Sequence, residues 1–141
     1  MGETDLATLL SAMRPELAPG RYVFATLGPG LEVPPSMAPL LIFREREGVT
    51  LVLDEEEAHR AGFSGVFTCR MITLSVHSSL EAVGFLAAVT TRLAAAGLGV
   101  NPVSGYFHDH LFVPAGRAED AMRILEELAA DARTAGSGHR A

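Results

Sequence analysis

Residues 66–114, VFTCRMITLSVHSSLEAVGFLAAVTTRLAAAGLGVNPVSGYFHDHLFVP, decide the fold. Residues 66–76 read as a long strand whose last part is apolar on both faces, as in a central strand. Ser78 stands three residues before Glu81, a capping-box spacing that predicts a helix from there to about Ala96. Val83, Leu86, Val89 and Leu93 form its apolar stripe, and Gly97 supplies a left-handed stop. Residues 99–106 and 110–114 read as two further strands. Pro102 marks the first as an edge or a bulge. A last helix is expected over 117–131, with Ala118, Ala121, Leu125 and Leu128 inward and Glu119, Arg123 and Glu127 paired outside. The order strand–helix–strand–strand–helix is the split βαβ pattern of ferredoxin-like α+β folds without its last strand.

The N-terminal half has the same scale. Leu6, Leu9, Leu10 and Met13 carry helical spacing, with Thr4 or Asp5 as cap and Pro15 as stop. Residues 21–27 read as a strand, and 28–39 (GPGLEVPPSMAP) as a long loop. Residues 40–47 and 49–53 suggest a hairpin near Gly48, and Asp54 with Glu57 caps a short helix ending at Gly62. This divides the chain into 1–64, 65–131 and a tail, 132–141, expected to be disordered. Residues 21–27 are expected to supply the fourth strand that the second half lacks.

Composition narrows the function. The chain has 141 residues, the length of one domain or two very small ones. It is 48% hydrophobic and 20% charged, so it has the material for a core. The net charge is −6 without a basic run, which argues against binding a nucleic-acid backbone. All basic residues are Arg, and a single Cys excludes a disulfide scaffold or a CxxC metal site. Apolar runs fall short of the roughly 20 residues of a membrane helix. The start MGETDLATLL lacks a basic signal-peptide region, so a cytoplasmic location is expected.

Residues 83–114 resemble the ACT domain of aspartokinases and amino-acid sensors. The resemblance rests on Gly84 near the helix start, on Leu93-Ala94-x-x-Gly97-Leu98 at its exit, on Val103-Ser104-x-Tyr106, and on Asp109-x-Leu111-x-Val113. With GETDLATLL, FREREGVTLVL and SVHSSLEAVG, the chain up to about residue 131 resembles small stand-alone bacterial ACT proteins of unassigned function. The resemblance implies tandem or paired βαββα units with an antiparallel sheet and helices on one face. Side-by-side association into an eight-stranded sheet would follow, as a homodimer or higher oligomer. It also implies a regulatory, non-catalytic module binding a small effector, often an amino acid, between units. ACT units usually sit fused to an enzyme they control, so a separate protein partner is a further expectation.

Candidate ligand-binding residues follow from two segments. His77, Ser78, Ser79 and Leu80 lie at the strand-to-helix junction, where free helix N–H groups attract a carboxylate. Ser78 and Glu81 acting only as a cap is the plainer alternative. Gly84 would permit close approach of a ligand, or serve only helix packing. Tyr106, His108 and Asp109 lie at the hairpin connection and are expected to meet an effector's ammonium or side chain, unless Asp109 merely satisfies turn backbone. His77, His108 and His110 offer imidazoles for a metal-dependent enzyme, a weaker alternative because nothing fixes a full ligand set. Catalytic and nucleotide-binding motifs are absent, and no metal or cofactor is expected. Cys69 reads as a buried hydrophobe. The apolar Pro-rich loop (Leu31, Val33, Met37, Leu40) supports a third reading, a structural interaction module that docks on a partner.

Overall fold

Asp5 opens the first helix. Its carboxylate accepts hydrogen bonds from the Thr8 amide (2.9 Å) and hydroxyl (2.7 Å). In this computed structural model, which describes residues 4–138, the helix is α1 (Leu6–Ala12). Pro15 ends it, as its restriction of the preceding backbone requires. The chain then forms β1 (Pro15–Leu17), β2 (Tyr22–Leu27), β3 (Leu41–Glu45), β4 (Gly48–Asp54), α2 (Glu55–Arg60) and β5 (Val66–Leu74). After β5 come α3 (Phe85–Ala95), β6 (Asn101–Ser104), β7 (Asp109–Pro114), one 3-10 turn and α4 (Ala118–Gly138).

Two compact units result, and their division differs from the expected halves. One unit comprises Met1–Ala18 with Met71–Ala141, and the other Pro19–Arg70. The chain passes between them within β5.

The discontinuous unit has strand order β1–β5–β7–β6. Its fourth strand is β1, pairing antiparallel with Ile72–Leu74 of β5. The expectation that residues 21–27 fill this place is therefore corrected. Three residues ending in a Pro-bounded segment are too short to show strand periodicity in sequence. Ile72 and Leu74 of β5, and Leu111 and Val113 of β7, alternate onto one face and join a single core. Leu9 and Met13 of α1, Phe85, Val89 and Leu93 of α3, and Ala121 and Leu125 of α4 complete that core. All three helices thus cover the same face of this unit's sheet. Helix α4 continues to Gly138, past the expected end at 131, so residues 132–138 are helical and not a disordered tail. Residues 139–141 of that expected tail lie outside the described residues.

The continuous unit has order β3–β4–β2–β5, with α2 between β4 and β5. Each unit therefore has the ferredoxin-like strand order. Here the irregular segment 28–40 stands where the first crossover helix would be. Val33 and Met37 from that segment pack on the core of Val23, Ala25, Leu51, Leu53 and Ala58. Asp54 caps α2 by accepting from the Glu56 (2.9 Å) and Glu57 (3.2 Å) amides, as its spacing predicts. The β3–β4 turn falls at residues 46–47, because Glu45 pairs with Gly48. A Cβ on Gly48 would stand 2.3 Å from the Leu27 carbonyl oxygen, so only glycine lets the strands approach there. Between Tyr22↔Cys69 and Phe24↔Val66, β5 carries one residue more than β2. Phe67 absorbs this bulge at φ +56°, with its ring 5.9 Å from Phe24.

Candidate functional site

The segment from β5 to α3 is not the helical turn its capping-box spacing suggests. Helix α3 begins at Phe85, and Gly84 occupies the cap position at φ +90°, a left-handed conformation that interrupts helical continuity. Residues 75–84 form a loop. The Ser79 hydroxyl accepts from the Glu81 amide (3.1 Å), and the Ala82 amide donates to the Ser79 carbonyl (3.0 Å). Ser78 turns inward, and its hydroxyl donates to the Asp109 carboxylate at 3.1 Å. Val83, expected on the helix stripe, is 84% exposed. The Ser-x-x-Glu signal is thus used by a serine–threonine-type turn and by a tertiary contact instead of a helix cap.

The exit of α3 follows its sequence. The Gly97 amide donates to Ala94 (2.9 Å) and the Leu98 amide to Leu93 (3.2 Å), with Gly97 at φ +78°. That is the Schellman arrangement. From there β6 and β7 form a hairpin in which Ser104 pairs with Asp109. The Gly105 amide donates to the His108 carbonyl (2.9 Å), leaving Tyr106 and Phe107 at the tip. The turn is therefore Tyr106-Phe107, earlier than the 107–109 connection left between the two expected strands. Both aromatic residues are exposed; their rings lie 4.9 Å apart, and His77 lies 5.9 Å from Phe107.

All eight expected site residues fall in the discontinuous unit. Seven of them line two adjoining clefts. The first, about 270 Å³, is lined by Thr4, His77, Ser78, Ser79, Leu80, Glu81 and Tyr106. The second, about 200 Å³, shares Ser78, Ser79 and Leu80. Gly84 and the first residues of α3 form another wall, and Ser104 and Asp109 complete it. Both volumes are below those of drug-sized ligand pockets and suit a small metabolite. His108 lines neither cleft; its Nδ1 is buried without a hydrogen-bond partner. Sequence reading missed Thr4, Glu81, Ala82, Ser104 and residues 85–87. Ser104 was accessible in principle, because placing the turn at 106–107 puts it opposite Asp109.

The cleft is electrostatically two-sided. No side chain caps α3 at Gly84, so first-turn amides present their partial positive charge at the smaller cleft. Asp109 is 6% exposed and is the single charged side chain lining that cleft. His110 alternates to the other face, where its Nδ1 lies 3.0 Å from the Thr73 hydroxyl. Burial, then His108, hold His110 below its ordinary pKa, against an opposing pull from Asp109. Among the described residues no group of three His, Cys, Asp or Glu is placed to hold a metal ion. His110 thus meets Thr73, whereas His77 lies beside Phe107. No helix among the described residues is long and apolar enough to cross a membrane.

Comparisons with known proteins agree with this architecture. Residues 1–70 match one sequence model of the ACT domain, and residues 66–127 match a second. A solved protein of unknown function from Vibrio cholerae, described as a possible transport protein, is 46% identical. The match covers 88% of this chain and 95% of that one, with a TM-score of 0.80. A protein from Agrobacterium tumefaciens shares the fold at 17% identity, with a TM-score of 0.71 over 83% of this chain and 89% of that one. The regulatory subunit of aspartate kinase from Thermus thermophilus, in ligand-free form, does so at 13% identity and a TM-score of 0.65. That match covers 83% of this chain and 99% of the subunit. No curated protein matches the sequence.

Proposed function

This chain belongs to the ACT domain family, and from that premise we propose a regulatory, non-catalytic module that binds an amino acid and works as a cytoplasmic homodimer. The carrying observation is the uncapped start of α3 opening onto a small cleft beside Ser78 and Ser79. Free amides at a helix start accept a carboxylate without further machinery. The effector carboxylate sits there, and the rest extends past Leu80 toward Tyr106 and the neighbouring cleft. In this reading the carboxylate meets the opening of α3 at Gly84–Ala87, in the cleft that Ser78, Ser79 and Leu80 also line.

Homodimerisation follows from open strand edges. Among the described residues, β6 pairs only with β7 and β3 only with β4. Such edges favour pairing with a second chain. In this reading the effector bridges copies, and its binding shifts their geometry and a separate partner's state.

Thermal-shift measurements with the twenty amino acids test the proposal, with dye detection because the chain lacks Trp. A ligand at 100 times its Kd stabilises by about 2.7 kcal/mol, a shift of several degrees. One selective hit, confirmed by calorimetry, supports the amino-acid class; a flat panel overturns it. A second reading, docking of a protein partner, draws on the continuous unit. Leu31, Leu40, Ile42 and Phe43 are exposed there along the 28–40 segment and the β3 edge. A monomer in light scattering that binds no small molecule favours that alternative.

A further inference from the structure

Asp109 is a buried carboxylate without a counter-charge. It is 6% exposed, and its one side-chain hydrogen bond comes from the Ser78 hydroxyl, itself buried. None of the ion pairs among the described residues includes it. Its cleft is further lined by Ser79, Ser104 and the opening residues of α3. A hydroxyl satisfies one lone pair of a carboxylate but does not neutralise it. Burying a charge in that state is costly, and a cation supplied from outside removes the cost.

We infer that Asp109 determines specificity by accepting a protonated nitrogen of the effector, so that the module answers amines and ignores the matching deamino acids. This inference rests on the small-effector reading above and names what that effector must carry. The same cleft then holds opposite ends of one molecule. The α3 amides meet a carboxylate, and Asp109 with Ser104 meets an ammonium, amidinium or guanidinium group. A deamino acid still offers its carboxylate to the α3 amides but brings the Asp109 charge nothing to pair with. Discrimination thus comes from repulsion as well as attraction. The arrangement has a cost in the empty protein, because Asp109 is held there by a hydroxyl and not by an ion pair.

The test uses the full chain, wild type and Asp109→Asn, in calorimetry and thermal shift. The probes are the twenty amino acids and, for each one that binds, its deamino and decarboxylated analogues. For lysine or arginine, the analogue lacking only the α-amine separates the α-ammonium from the side-chain cation as the group recognised. The inference expects the amine-bearing compound to bind and the fully deaminated acid to be silent. Asp109→Asn should weaken binding roughly ten- to hundredfold, the range of a lost charge-assisted hydrogen bond. Its unliganded Tm should equal or exceed that of wild type, because the uncompensated charge is gone. A purely structural Asp109 would instead lower that Tm. Equal binding of the deamino acid to the wild type overturns the inference without using any variant. So does wild-type affinity in Asp109→Asn, and both results leave the amino-acid reading standing. Silence of every amino acid with wild type overturns that reading and this inference together.

Discussion

Gly84 holds the backbone at φ +90° where the chain leaves the loop and enters α3. An added Cβ would find room, 3.6 Å from Leu6, so the objection to other residues is conformational and not steric crowding. Left-handed backbone costs an ordinary residue about 1–2 kcal/mol. Gly84→Ala should therefore lower stability by about that amount in urea denaturation; an unchanged midpoint would show that the loop relaxes freely. Cys69 makes the opposite kind of statement. Burial pushes its thiol up to about 11, and it donates to the Tyr22 carbonyl at 3.4 Å. Iodoacetamide at pH 8 should leave it unmodified in the native protein and alkylate it in urea, as mass spectrometry would show. Its burial was legible from apolar neighbours. The use of Ser78 was not, because a hydroxyl three residues before Glu81 carries the same local signal whether it caps a helix or meets Asp109 across the fold.

The β6–β7 hairpin shows how an element distributes function between its faces. Asp109, Leu111 and Val113 point toward the helices, whereas His110 points away and meets Thr73. Folding keeps His110 neutral to lower pH than the unfolded chain does, with burial as the largest cause, followed by His108. The unfolded chain thus takes up a proton near pH 6.5 while the folded chain resists it. The contribution to stability is full above that pH and declines as pH falls through it toward the lower folded value. Urea midpoints between pH 7.5 and 5 should fall, and His110→Gln should flatten the fall; an identical slope would remove His110 as its source. The hairpin's existence was readable from Pro102 at an edge and the apolar run after Asp109. Its turn falls at Tyr106-Phe107 and not within 107–109, because Tyr106 and Phe107 are both large aromatics and neither announces a tight turn.

At the scale of the whole molecule, chain order and compact units do not coincide. The strand–helix–strand–strand–helix order of the second half was readable, and so was the ferredoxin-like class. What local patterns cannot show is that α1 and β1 belong to the unit built by residues after 70. Leu9 and Met13 carry that information in three dimensions: both are essentially inaccessible among α3, α4 and β5 side chains. Arg133 of α4 adds a hydrogen bond to the Ser11 carbonyl at 3.0 Å. Truncating one such Leu or Met typically costs about 2–5 kcal/mol, against a whole-domain stability of about 5–15 kcal/mol. Removing residues 1–18 takes both anchors and the β1 ladder at once. A chain of residues 19–141 should therefore lose cooperative thermal unfolding of this unit, followed by far-UV circular dichroism. Adding a peptide of residues 1–18 in trans should restore it. If residues 19–141 melt cooperatively at the wild-type temperature, the N-terminal segment is an accessory to that unit and not one of its structural elements.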